Sequence, residues 1–171
     1  MDVLSALFTN VVPFLVVLTV LVFVHEMGHF LIARWNGVRV EVFSIGFGPE
    51  LFGRTDRTGT RWKVSAIPLG GYVKFFGDMN PASAADTGAG ERMSPEERAV
   101  SFHHKSLPGR AAIVAAGPLA NFVYAVIVLA VLFMVVGQRL TPPEIGRVMP
   151  DSAGAAAGFQ AGDVVLSMNG D

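Results

Sequence analysis

The sequence contains no cysteine. Disulfides and thiolate metal sites are thereby excluded, and any metal must be held by His, Asp or Glu. Charge is also sparse: Asp, Glu, Lys and Arg make up 16% of the chain, against about 25% in soluble proteins. The formal net charge is -1. With no run of Lys or Arg beside it, neither nucleic acid nor a generally acidic partner is indicated. Met1 to Asn10 has no Lys or Arg, and no small-residue cleavage site follows the apolar run. These absences favour a retained membrane helix over a cleaved secretory signal.

What the sequence has in excess is apolar surface, with 51% of its 171 residues hydrophobic. The surplus falls in two blocks, Val11 to Ala33 and Ala111 to Val136, each long enough to cross a hydrocarbon core of about 30 Å as a helix. The chain is therefore expected to be an integral membrane protein. Of its Lys and Arg residues only Arg139 and Arg147 lie outside the stretch from Arg34 to Arg110. By the positive-inside rule, residues 34–110 are expected to be cytoplasmic, with the N-terminus and everything after Val136 outside.

Five segments follow: 1–35, a first transmembrane helix; 36–76, β-rich; 77–110, a cytoplasmic loop; 111–137, a second transmembrane helix; and 138–171, a linker and a partial domain. In the second segment, β-branched and aromatic runs alternate with glycine: Val38 to Phe47, the turn-rich Gly53 to Gly59, Arg61 to Ile67, and Gly71 to Phe76. They predict a small hairpin or sheet. Residues 77–98 read as a loop with one short helix after Ser94-Pro95-Glu96-Glu97. Beyond the second span, Thr141-Pro142-Pro143 breaks the helix. Ile145 to Val148 and Asp163 to Met168 read as strands flanking a short helix within Asp151 to Ala157, with a turn at Asn169-Gly170-Asp171. So few elements cannot bury a core, and the chain is expected to stop inside a domain.

His25 and His29, four positions apart, project from one face of a helix and can converge on a zinc ion, with Glu26 beside them as a proton acceptor. Chance would produce H-E-x-x-H in roughly one chain of this size in a few hundred. Its place in an apolar span argues against chance, because a central acid alone costs about 2.5 to 3.5 kcal/mol on insertion. A catalytic zinc usually has three protein ligands, and no third is obvious in the sequence. His103 and His104 qualify by type but lie in a polar segment where a solvated or interfacial pair is expected. In the second span, Gly117-Pro118-Leu119-Ala120-Asn121 sets a small residue and an amide one turn apart. Two readings stand side by side. Either the motif packs helices, or Asn121 faces the metal and holds the substrate backbone or its developing oxyanion. The β-rich stretch is likewise open: a cytoplasmic hairpin, or an element that dips toward the metal and offers a strand edge to an unwound peptide.

At these residues the chain resembles the site-2 protease family of intramembrane zinc metalloproteases, most closely its bacterial regulator-of-sigma-E branch. The likeness rests on His25-Glu26-Met27-Gly28-His29-Phe30, on the region from Gly46-Phe47-Gly48-Pro49 to Gly70-Gly71-Tyr72-Val73-Lys74, and on Ala116-Gly117-Pro118-Leu119-Ala120-Asn121. Pro150 to Asp171, with Ala157-Gly158-Phe159 and Ala161-Gly162-Asp163-Val164-Val165, looks like the opening of a PDZ domain. The resemblance implies an α-helical transmembrane core with a membrane-reentrant β-hairpin and the start of a PDZ-like α+β domain. It implies zinc on His25 and His29, Glu26 as catalytic base, and Gly117 and Asn121 beside the active site. The implied substrate is a single-span membrane protein of the anti-sigma-factor type, cut in the bacterial inner membrane during regulated intramembrane proteolysis. In the family the third zinc ligand is an Asp in a later membrane helix.

Two other classes compete. A non-enzymatic membrane scaffold with a peptide-binding PDZ-like region predicts no metal, and a transporter or proton-conducting module is disfavoured by the single ionisable cluster.

Overall fold

The structure, a computed structural model, describes residues 2, 5, 7–78, 93–137 and 143–167. Two compact units divide the chain, residues 1–128 and 129–171. Two helices are long and apolar enough to cross a membrane.

In the first unit, a π-helical turn, Leu7–Val11, leads into helix α1, Val12–Trp35. Pro13 sits in the first turn of α1, where a missing N–H breaks no helical hydrogen bond. The hydroxyl of Thr19 donates to the Leu15 carbonyl at 2.7 Å, so it needs no partner outside the helix. The helix stops at a left-handed glycine: Gly37, at φ 68°, donates to Arg34 O at 3.0 Å and Val38 to Ala33 O at 2.9 Å. That pair of bonds satisfies two of the last carbonyls. At 24 residues, α1 is about 36 Å long, enough to cross a bilayer core.

Strands β1, Val40–Thr55, and β2, Arg61–Phe75, form one antiparallel sheet. They are longer than the short runs expected from the sequence, and the turn is confined to Asp56–Thr60. The register explains why. Val42 to Ile45 pair with Gly71 to Lys74 and also with Arg61 to Val64, which in turn pair with Phe52 to Thr55. Each strand therefore folds back on itself, and the sheet is four ribbons wide. Gly46 makes the first bend possible at φ 86°, where a Cβ would lie 2.8 Å from the Ile67 carbonyl oxygen.

At the turn, the Asp56 carboxylate accepts from Thr58 N at 2.8 Å, Thr58 Oγ1 at 2.6 Å, Thr60 N at 3.1 Å and Trp62 Nε1 at 3.0 Å. These donors, Thr58 and Trp62 foremost, hold its pKa well below the usual carboxylate range. The turn is tied back to the end of α1, where Arg34 donates to Thr58 Oγ1 at 2.6 Å, and to the start of β1, where Thr60 Oγ1 donates to the Val40 carbonyl at 2.9 Å.

The core lies between the C-terminal half of α1, the sheet and the start of the next long helix. Phe43, 1% exposed, stacks on Trp62 at 4.5 Å between ring centres and meets Phe30 edge-on at 5.7 Å. Val38, Val40, Val73, Phe75 and Ile113 complete it. Such aromatic pairs contribute about 0.5–1.5 kcal/mol each beyond the area they bury.

The short helix expected after Ser94 is α2, Pro95–Val100, started by a reciprocal cap in which Glu97 N donates to Ser94 Oγ and Ser94 N to Glu97 Oε2. A 3₁₀ turn, Phe102–His104, leads to α3, Leu107–Val136. The second span thus begins four residues earlier than its apolar block, because Ser106 caps it through Gly109 N at 3.4 Å.

In the second unit, the strands expected at 145–148 and 163–168 reduce to a single bridge, Glu144 to Val164, with Ile145 N donating to Asp163 O at 2.8 Å. Among the described residues no further bridge extends this one, and Met168, the end of the second expected strand, lies outside them. Helix α4, Ala153–Ala156, is capped by Ser152 Oγ, which accepts from Ala155 N at 3.2 Å. The Thr141-Pro142 break, the turn at Asn169 to Asp171 and most of the 77–92 loop lie outside the described residues.

Candidate metal centre

The helical spacing of His25 and His29 brings their Nε2 atoms to 3.2 Å from each other. Two nitrogens about 2.0–2.1 Å from a tetrahedral zinc stand about 3.3 Å apart, so the pair fits that ion without rearrangement. The tautomer of His29 is set from behind. Its Nδ1 donates to the Ile113 carbonyl at 2.7 Å, which leaves the Nε2 lone pair facing the gap.

Helix α3 comes close enough to do this because both helices are small where they meet. A Cβ on Gly28 would lie 2.8 Å from the Ala120 Cβ and 2.9 Å from the Ala116 carbonyl carbon. One residue further round α3, a Cβ on Gly117 would stand 2.8 Å from His25 Nε2 and closer still to His29 Nε2. Hydrogen at this position keeps clear the space that a metal between the two imidazoles would take. Asn121 follows one turn later, its Nδ2 at 3.4 Å from His25 Nδ1.

Glu26 faces the sheet. A Cβ on Gly71 would be 3.2 Å from Glu26 Cγ and 2.8 Å from Val22 Cγ1, and the Glu26 carboxyl lies against the backbone of Val73. The β2 edge therefore runs directly beside the face of α1 that carries Glu26, a juxtaposition that hydrophobicity alone does not reveal. Its only trace in the sequence is the Gly70-Gly71 pair.

Among the described residues, no cluster of three or more His, Asp or Glu converges on one point. His103 and His104 take no part in the centre. Of the pair expected to be solvated or interfacial, His104 is exposed, with Nδ1 3.2 Å from Ser101 Oγ, whereas His103 turns inward, its Nε2 3.0 Å from Oδ1 of the buried Asp78. Asp78 Oδ2 also accepts from Phe75 N at 3.1 Å. This buried carboxyl needs donors, and His103 meets the need by closing the base of the sheet.

Residues 13–168 match peptidase family M50. The chain is 54% identical over 161 residues to "Putative zinc metalloprotease Atu1380" of Agrobacterium fabrum, covering 94% of this chain and 43% of that protein. It is 46% identical over 163 residues to "Metalloprotease MmpA" of Caulobacter vibrioides, covering 91% and 41% respectively. The chain thus spans less than half the length of the curated relatives it matches.

Proposed function

The chain belongs to peptidase family M50, and from that premise we propose that it supplies two zinc ligands and the catalytic base of an intramembrane endopeptidase. The observation that carries this is the 3.2 Å approach of the His25 and His29 Nε2 atoms inside a helix long enough to cross a membrane. Bound there, zinc would polarise the scissile carbonyl and lower the pKa of a coordinated water toward 7. Glu26 takes up the proton released as the peptide bond is attacked and returns it to the departing amine. Gly117 leaves room at both imidazoles, and an acidic side chain outside the described residues would complete the ligand set.

A transmembrane substrate is helical, and its peptide bonds are shielded until something holds it unwound. The β2 edge at Gly71 to Val73, beside Glu26, suits that task by pairing with an extended peptide. Reentry of the hairpin into the bilayer is supported by its distal end, where Leu51, Phe52 and Leu69 are 58%, 75% and 59% exposed and the Glu50 carboxylate is neutralised by Arg61, whereas Arg34 and Arg57 lie at the turn end. In this reading residues 34–110 are cytoplasmic, the protein sits in the bacterial inner membrane, and residues 143–167 open a PDZ-like domain. The substrate is a single-span membrane protein of the anti-sigma-factor type.

In the full-length protein, His25→Ala is expected to abolish zinc binding. Glu26→Gln should retain zinc and lower cleavage of a membrane-anchored substrate by about 10²–10⁴-fold. Wild-type cleavage by Glu26→Gln would remove Glu26 from its role, and absence of zinc from folded wild-type protein would sink the protease reading.

A further inference from the structure

The apolar face of the sheet is wider than the helix that covers it. From the Glu26 side outward, its ribbons run Gly71 to Lys74, Val42 to Ile45, Arg61 to Val64 and Phe52 to Thr55. Strand alternation and this register put Phe43, Ile45, Trp62, Val64, Phe52 and Arg54 on one face. Helix α1 covers only the inner part. Phe43, held between Phe23 and Phe30, is 1% exposed, whereas Val64 and Phe52 further out are 43% and 75% exposed. The outer ribbon thus overhangs α1, about 14 Å from the edge beside Glu26. Between overhang and helix lies a cavity of about 380 Å³, walled by Phe23, Phe43, Ile45, Phe52, Trp62 and Val64.

At the turn end this cavity meets a second one of about 350 Å³, lined by Arg54, Thr55, Asp56, Arg57 and Trp62. Arg54 and Trp62 border both. The Asp56 carboxylate is already engaged, with Thr58 and Thr60 on Oδ1 and Trp62 on Oδ2. Among the described residues, neither the Arg54 nor the Arg57 guanidinium has a hydrogen bond or an ion pair. An occupant must therefore be apolar along one stretch and anionic at one end.

Depth sets the rest. Phe30 meets Trp62 at 5.0 Å and Arg34 holds Thr58, so the sheet runs alongside α1 with its turn level with the helix end at Trp35. Trp35 is 85% exposed, as an aromatic at the headgroup boundary is. From Trp35 back to Phe23 the helix descends about 18 Å, close to the roughly 15 Å of hydrocarbon in one leaflet. We propose that the overhang holds an anionic phospholipid, its phosphate between Arg54 and Arg57 and one acyl chain lying along α1 under Phe52 and Val64. A lipid bound there props the sheet from the edge opposite Glu26. The site does not depend on the histidines holding zinc, and it shares with the proposed function only the placement of the sheet in the membrane.

The test uses full-length protein in phosphatidylcholine vesicles to which phosphatidylglycerol with brominated acyl chains is added. Bromine quenches indole fluorescence at contact, and subtracting the signal of Trp62→Phe isolates the share of Trp62. That quenching is expected to saturate while phosphatidylglycerol is still the minor lipid, whereas brominated phosphatidylcholine quenches only in proportion to its amount. Arg54→Gln and Arg57→Gln should each raise the phosphatidylglycerol needed for half-quenching about fivefold, as loss of one cation beside an anionic lipid does. Arg98→Gln, which removes a charge on α2 away from the groove, should leave it unchanged. Equal quenching by the two headgroups at every composition, or half-quenching unmoved in both arginine variants, overturns the inference and leaves the protease reading standing. If neither lipid quenches Trp62, the sheet lies outside the bilayer, and the inference falls together with the reentrant hairpin. Should the variants not fold, native mass spectrometry of wild type decides: one phosphatidylglycerol retained in preference to phosphatidylcholine is expected, and release of both alike overturns the site equally.

Discussion

Helix α3 presents two pairs of residues at the same spacing and one position out of step: Ala116 with Ala120, and Gly117 with Asn121. The first pair meets the Gly28 backbone and sets how near the two long helices come. The second meets the histidines. Smallness serves different ends in the two cases. At Ala116 and Ala120 it permits contact, and contact is what holds helices together where no water is present to drive them. At Gly117 it prevents contact, keeping a space between imidazoles that any side chain would fill. Packing and clearance at the histidines are thus separate properties of adjacent helix faces, yet the second depends on the first for its position.

The sharpest way to break this separation is Gly117→Val. It should eliminate detectable zinc binding while leaving the helical circular dichroism of the full-length protein unchanged; retained zinc would mean that the gap is not the metal's. A smaller effect is expected from Gly28→Val, which overpacks the helix contact. It should destabilise the fold by about 1–3 kcal/mol, read from unfolding in mixed micelles, with zinc affinity falling only as far as the helices move apart. If stability were unaffected and zinc were lost, the two faces would not be separable. The smallest effect lies farthest away, at Asp56. Its pKa is held down in the fold, so its contribution to the turn is full above the ordinary carboxylate value of about 4 and is lost as pH falls through the lower, folded value. Hydrogen exchange at the Thr58 and Thr60 amides should therefore quicken in acid, while exchange at the helix contact does not. A coupled response would show that the turn supports the contact.

The sequence could place the histidines because a period of 3.6 residues is enough to align positions 25 and 29. It could not say whether Gly117 and Asn121 pack or bind, since that depends on where a second helix lies around them. The same gap affected the strands. The first run reads as ending at Phe47, yet in the sheet positive φ at Gly46 and Gly48 bends the strand and pairing continues on the far side. Ser106 and the polar turn after it hid the true start of α3 from a reading based on apolar runs. Asp78 and His103, 25 residues apart, carry no local signal of their pairing at all.

The ties from Arg34 to Thr58 and from Thr60 to Val40 hold the sheet at its turn end. Along its length it is held by rings: Phe43 meets Phe23 and Phe30, and Trp62 meets Phe30. Mechanically it is a plank laid along α1 and fastened at several points. At its far end the fastening is the absence of a side chain, since a Cβ on Gly71 would lie 2.8 Å from Val22 Cγ1 and 3.2 Å from Glu26 Cγ. A single methyl group there would lift the plank from the helix at the place where it passes Glu26.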